Sequence, residues 1–129
     1  MDEQNLKVKE LMTFVPAGND YQREIQFYES LGFTVSWKSD ELAILKIGNF
    51  RFFLQNFENK EMQNNFMMNL EVENLDHWWN RIKGLNLPEK FPSVKAKPPE
   101  DYPWGKREIH LITPAGVLWH IAVLLQESK

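Results

Sequence analysis

The hydrophobic pattern along this chain changes period several times, and each change marks the edge of an element. Lys7–Val15 alternates weakly and ends in an aromatic, β-branched stretch, which predicts a first strand. Pro16-Ala17-Gly18-Asn19 breaks it. Asp20 then stands as the N-cap of a helix over Tyr21–Ser30, with Ile25, Tyr28 and Leu31 on one face and Gly32 as a left-handed terminus. Three strand-like runs follow at Phe33–Lys38, Leu42–Ile47 and Phe50–Asn56, and Gly48-Asn49 suits a tight hairpin between the last two. The succession then recurs. Phe66–Val72 reads as a strand, and Asn74-Leu75-Asp76 caps a second, shorter helix across His77–Lys83, which Gly84 ends. Phe91–Lys97 reads as a strand before a proline-rich loop at Lys97–Pro103. Glu108–Ile112 and Val117–Leu124 close the chain as strands joined through Thr113-Pro114-Ala115-Gly116. The repeat is one of element order, not of letters. It predicts an α+β fold in one domain, residues 1–129, made of two tandem βαβββ modules at about 7–60 and 64–125. Two such modules form a curved mixed sheet around a cavity, where function is to be sought.

Composition narrows the classes of function. A chain of 129 residues with 43% hydrophobic residues and a net charge of −3 is a globular domain, and it carries no dense basic stripe for a nucleic acid. The absence of cysteine excludes a disulfide framework, a thiolate zinc site and a cysteine nucleophile. No apolar run approaches the ~18 residues of a membrane span, and the polar Met1–Glu10 shows no targeting signal, so the expected setting is cytoplasmic. Nine Phe, five Trp and three Tyr exceed the needs of a small core, which points either to a ligand surface or to half-buried β-structure. No phosphate loop, HExxH motif or nucleophile–base arrangement is present.

Longer stretches of letters are informative. Phe27-Tyr28-Glu29-Ser30-Leu31-Gly32-Phe33 resembles the "FYxxLGF" helix end of the vicinal oxygen chelate superfamily, which includes glyoxalase I, extradiol dioxygenases and bleomycin resistance proteins. Pro103-Trp104-Gly105, Arg107-Glu108, Thr113-Pro114-Ala115-Gly116 and Leu118-Trp119-His120 are similar to the ending of bleomycin resistance proteins, and the likeness runs from about Phe14 to Ala122. The superfamily's enzymes hold a divalent metal at one position on the first and last strands of each module. Carried over, these positions are Met12 or Thr13, Phe53, Met67 and His120, of which only His120 suits such an ion. The resemblance therefore implies a metal-free, non-catalytic protein with no cofactor. It would be a homodimer sequestering a bleomycin-type aromatic, cationic small molecule in grooves at the subunit interface. It also implies that the first strand is swapped between subunits about a hinge at Pro16, and that Trp37 and Trp104 stack on the ligand. In the relatives Trp residues enter the groove from the first strand of the second module; here that stretch is Met67-Met68-Asn69-Leu70-Glu71. The Asp of the family's last turn is Thr113.

Alternation along the strands adds candidates. Phe53 and Gln55 share one face, as do Met67, Asn69 and Glu71, and His120 alternates with Leu118 and Ala122. Each has a plainer reading, as core, sheet packing or solvated edge. Arg107 and Glu108 are expected in structural ion pairs, and of Trp78 and Trp79 one is expected in the core. Two further functions stand beside sequestration. One is a glyoxalase- or dioxygenase-like enzyme whose metal site is rebuilt from His120 with Glu71 or His110, and the other is a ligand-sensing module.

Overall fold

The computed structural model describes residues 6–125. Its elements run β1 (Phe14–Pro16), α1 (Tyr21–Leu31), β2 (Thr34–Lys38), β3 (Leu42–Ile47), β4 (Phe50–Gln55), α2 (Lys60–Asn65), β5 (Met67–Glu71), α3 (Leu75–Leu85), α4 (Leu87–Lys90), β6 (Lys95–Tyr102), β7 (Lys106–Ile112) and β8 (Leu118–Leu124). They form two four-stranded mixed sheets with the orders β1-β4-β3-β2 and β5-β8-β7-β6. In each sheet the first strand pairs in parallel with the last, so the duplication inferred from element order is a duplication of topology. Among the described residues no helix is long and apolar enough to cross a membrane.

Local chemistry explains the helices. The Asp20 carboxylate accepts from the Arg23 amide at 3.0 Å, and Gly32 closes α1 at φ 119°, a conformation that favours glycine. The last carbonyls of α1, those of Ser30 and Leu31, accept from the Arg81 guanidinium of α3 at 3.1 and 2.9 Å. That cation also answers the negative end of the helix dipole. Asn74 caps α3 through the His77 amide.

The core lies between the helices and one face of each sheet. Tyr28 of α1 is fully buried among Phe27, Phe33, Phe52 and Trp119, with ring centroids 5.3–5.7 Å apart in edge-on arrangements. The Trp119 indole donates to the Tyr28 hydroxyl at 3.0 Å, joining the second module to the first. A second joint lies at the turn before β8. Glu24, only 1% exposed, accepts from the Ala115 amide at 3.0 Å, and the Gln63 side-chain amide donates to the Ala115 carbonyl at 2.7 Å.

Several elements differ from the sequence expectation. The first strand covers Phe14–Pro16 and not Lys7–Val15: the ladder with β4 begins at Phe14, just after the Thr13 carbonyl accepts from the Phe53 amide. Leu6, Val8 and Leu11 lie exposed along an arm held by Glu10 on Arg51. Of the polar stretch Met1–Glu10, the first five residues lie outside the described ones, as do residues 126–129 of the expected domain. The second helix is no shorter than the first: both have 11 residues, Gly84 lies within α3, and Asn86 ends it at φ 51°. α2 and α4 were not anticipated, since neither is long enough to show a period. The expected loop at Lys97–Pro103 is mostly strand. β6 is an edge strand whose register shifts between Lys97 and Glu100, and this accommodates Pro98 and Pro99 without central ladder bonds. Trp78 and Trp79 are both half-buried against the core.

Burial pushes the Glu24 carboxyl up to about 7, outweighing its hydrogen bonds to Thr113 and Ala115. Folding therefore favours its protonated form, and stability is full below the ordinary value of 4.5 and falls as pH rises towards 7. Urea unfolding of the protein is expected to show a loss of up to about 3 kcal/mol across that window, and Glu24→Gln, which keeps an acceptor for Ala115 without titrating, is expected to flatten it.

Candidate functional site

The sheet faces turned away from the core carry the candidate chemistry. In the first sheet Phe52 and Leu54 of β4 point into the core while Phe53 points out. Register pairing places Trp37 opposite Ile44, Ile44 opposite Phe53, and Phe53 opposite Phe14. One apolar row thus crosses all four strands. Phe14 and Phe53 stack at 4.5 Å with 16° between their planes, and Phe14 and Trp37 at the ends are 49% and 51% exposed. Gln55 lies in the next row, opposite Leu42 and the buried Pro16.

The outward face of the second sheet is polar. Its corresponding row runs Asn69–His120–His110–Lys97. Glu108 lies beside it, two residues before His110 and on the same face, and is 2% exposed. One carboxylate oxygen, Oε1, is 2.8 Å from both His110 Nε2 and His120 Nδ1. The other, Oε2, accepts from the Trp104 indole at 2.9 Å. Burial pushes the Glu108 carboxyl up, but hydrogen bonds from His120, Trp104 and His110 outweigh it and hold the group at about 2. Glu108 is therefore an anion. The rings of Trp104, Tyr102 and His110 form a stack, with 4.7 and 4.9 Å between successive centroids.

Two cavities adjoin these faces. The larger, about 670 Å³, opens between the sheets under the N-terminal arm and is lined by Thr13, Phe33, Phe52, Asn69 and Trp119 among others. The smaller, about 300 Å³, is lined by Met67, Met68, Asn69, Trp104, Lys106, Glu108 and His120. It brings together four of the residues singled out from the sequence: Met67, Asn69, Trp104 and His120. Trp37, Phe53 and Gln55 line neither cavity and sit on the first sheet instead. Trp104 is 58% exposed yet tied to Glu108, so its loop position has a structural cause as well as an exposed ring. Arg107 pairs with Asp101 at 2.6 Å, whereas Glu108 makes no pair with it and turns to the histidines. Glu71 faces Lys106 at 3.7 Å and not His120. Glu108 itself was missed as a site residue; its alternation with His110 on β7, opposite His120, was the available signal.

The family profile of the glyoxalase/bleomycin resistance protein/dioxygenase superfamily matches residues 13–121. The chain belongs to this superfamily. Among solved structures, a bleomycin-binding protein complexed with bleomycin is 20% identical with a TM-score of 0.77, the alignment covering 90% of this chain and 98% of that one. The bleomycin-binding protein from bleomycin-producing Streptomyces verticillus, complexed with copper(II)-bleomycin, is 21% identical with a TM-score of 0.73, covering 89% and 97%. A lactoylglutathione lyase from Agrobacterium tumefaciens is 14% identical with a TM-score of 0.65, covering 91% and 95%. Such identities establish the shared fold alone. No curated protein sequence matches the chain.

The superfamily's metal positions do not fit a metal in this member. Phe53 offers a ring stacked on Phe14. Met67 offers a thioether, 3.4 Å from His120 Nε2. A phenyl ring and a thioether give a hard or borderline cation nothing to replace its water, and neither Met12 nor Thr13, taken with His120, makes up for them.

Trp104→Phe keeps the ring but removes the donor to Glu108 Oε2. Stripping a buried carboxylate of one hydrogen bond is expected to cost about 1–3 kcal/mol, read as a lowered urea midpoint with an unchanged slope.

Proposed function

We propose that this superfamily member is a small-molecule-binding protein of the bleomycin-resistance type, which sequesters an aromatic, cationic compound between two copies of the chain. The observation that carries this reading is the row Trp37–Ile44–Phe53–Phe14. It is an apolar stripe on a sheet face that no helix or strand among the described residues covers, and its end rings are half exposed. A flat heteroaromatic ligand laid on such a surface gains about 0.5–1.5 kcal/mol per ring pair beyond the area it buries. The acidic side chains of Glu108 and Glu71 on the opposite module give a cationic ligand a counter-charge.

Assembly into a homodimer is part of the same proposal. Leu6, Val8 and Leu11 are 81–92% exposed on the arm preceding β1, and Met67 is 62% exposed at the start of β5. Apolar side chains in such numbers on one chain favour a partner surface. Exchange of the arm about Pro16 would cover them, and the first sheet of one copy would then face the second sheet of the other. With that arrangement the two groups of candidate residues, Trp37, Phe53 and Gln55 on one side and Met67, Asn69, Trp104 and His120 on the other, line one groove. Localisation in the cytoplasm accords with a chain that has no cysteine to oxidise.

Sedimentation of the purified protein is expected to give a dimer. Titration with metal-free and with Cu²⁺-loaded bleomycin is expected to quench tryptophan fluorescence saturably, and Trp37→Ala to weaken binding about tenfold by removing one ring pair with its buried area. A dimer that shows no saturable quenching with either form would overturn the ligand assignment.

A further inference from the structure

We propose that Glu108, His110 and His120 form a binding site for one divalent transition-metal ion of borderline hardness, of the Zn²⁺ or Co²⁺ kind. The site shares only His120 with the superfamily's metal positions and takes its other two ligands from β7. Glu108 and His120 also belong to the groove of the sequestration reading, but the ion site stands on its three side chains without the aromatic ligand, which its test does not use.

Strand geometry brings the three groups together. β7 and β8 are antiparallel with His110 directly opposite His120, and Glu108 projects from the same face as His110 because side chains alternate along a strand. The three ligating atoms lie within 4.8 Å of one another, and Glu108 Oε1 is 2.8 Å from each histidine nitrogen. Neighbouring donors around an ion bound at about 2.1 Å lie about 3 Å apart, so the triad is already near the required separation. A neutral imidazole presents a lone pair after a change of tautomer, and no backbone shift is needed.

The atoms not used for an ion are held from behind. Trp104 donates to Glu108 Oε2, the Tyr102 hydroxyl lies 3.4 Å from His110 Nδ1, and His120 Nε2 faces the Met67 sulfur at 3.4 Å. Partners of this kind fix ring orientation and ligand basicity in metal sites. Local charge is compatible with a dication. Glu108 is anionic, and the two cations nearest the face are each drawn to a carboxylate: Lys106 to Glu71 at 3.7 Å, and Lys97 to Glu100 at 3.8 Å. His120 and Glu108 line the 300 Å³ cleft, and both histidines are partly exposed, which leaves coordination positions for water or for a donor atom of a bound compound.

The test uses the full chain dialysed against a chelator. Zn²⁺ titrated by calorimetry is expected to bind at one ion per chain, and Co²⁺ to give the visible absorption of an N/O-ligated ion. His110→Asn and His120→Asn are each expected to weaken binding at least tenfold. Trp104→Phe, which leaves all three ligands and a ring in place, is expected to weaken it about tenfold. The protein has three histidines, and His77 on the exposed start of α3 serves as an internal control. Imidazole nitrogen resonances of His110 and His120 are expected to move on Zn²⁺ addition in the unsubstituted protein while those of His77 stay, so the result does not depend on the folding of any variant. Failure to bind Zn²⁺ saturably, or binding that moves His77 and spares the other two, overturns the proposal. Bleomycin binding is unaffected as a question by either result, because no bleomycin enters the experiment.

Discussion

The hydrogen bond from the Trp119 indole to the Tyr28 hydroxyl is the point on which the two halves of this molecule depend. Both groups are buried, and each would be left without a partner if the modules separated. Around it the rings of Phe33 and Phe52 from the first module pack on Trp119 from the second, so the aromatic cluster belongs to neither half alone. The Glu24–Ala115 and Gln63–Ala115 contacts, at the turn leading into β8, hold the start of the same strand. The register of β8 against β7 and β5 is thereby fixed. Because side chains alternate, fixing Trp119 inward fixes His120 outward, and the candidate chemistry of the second sheet follows from a packing decision in the core.

Much of this organisation was legible in the chain itself. Asp20 and Gly32 bracket α1 by mechanisms that act locally, and Gly48 takes the positive φ that a two-residue hairpin requires, so these boundaries read correctly. β3 and β4 read well because their inward residues, Ala43, Leu45, Phe52 and Leu54, are uniformly apolar. What could not be read depends on long-range partners. Lys7–Thr13 has a strand-like pattern, yet the ladder with β4 begins only at Phe14, and the arm before Thr13 stays outside the sheet. Gly84 looked like a helix end, but α3 runs one residue further to Leu85, which packs on the core, and Asn86 takes up the left-handed conformation instead. Pro98 and Pro99 read as a loop because proline is foreign to central strands, and nothing local says that β6 is an edge.

The site shows the same division. The exposed faces of Trp37 and Trp104, and the outward direction of His120, follow from position and alternation. The role of Glu108 did not, since a glutamate beside an arginine suggests an ion pair. Only the fold reveals that Asp101 takes the arginine and leaves Glu108 to two histidines and an indole. Superfamily membership sharpens this contrast. At the positions where an enzyme of this fold would place metal ligands, Phe53 and Met67 offer a ring and a thioether, while His120 is joined by His110 and Glu108 from the neighbouring strand.

The prolines of β6 also bear on how copies of this protein can meet. A free strand edge is a template on which another chain can extend the sheet, and uncontrolled extension ends in fibres. Neither Pro98 nor Pro99 has an N–H to donate, and the register shift at this point breaks the regular spacing of β6, the outer strand of the second sheet. At the opposite margin of the first sheet, β2 carries a similar irregularity between Val35 and Trp37. Edge-to-edge growth is thus blocked at one margin of each sheet, and self-association is steered towards the faces. A protein with this many exposed aromatic side chains can then present them to a small molecule without recruiting a third and fourth copy of itself.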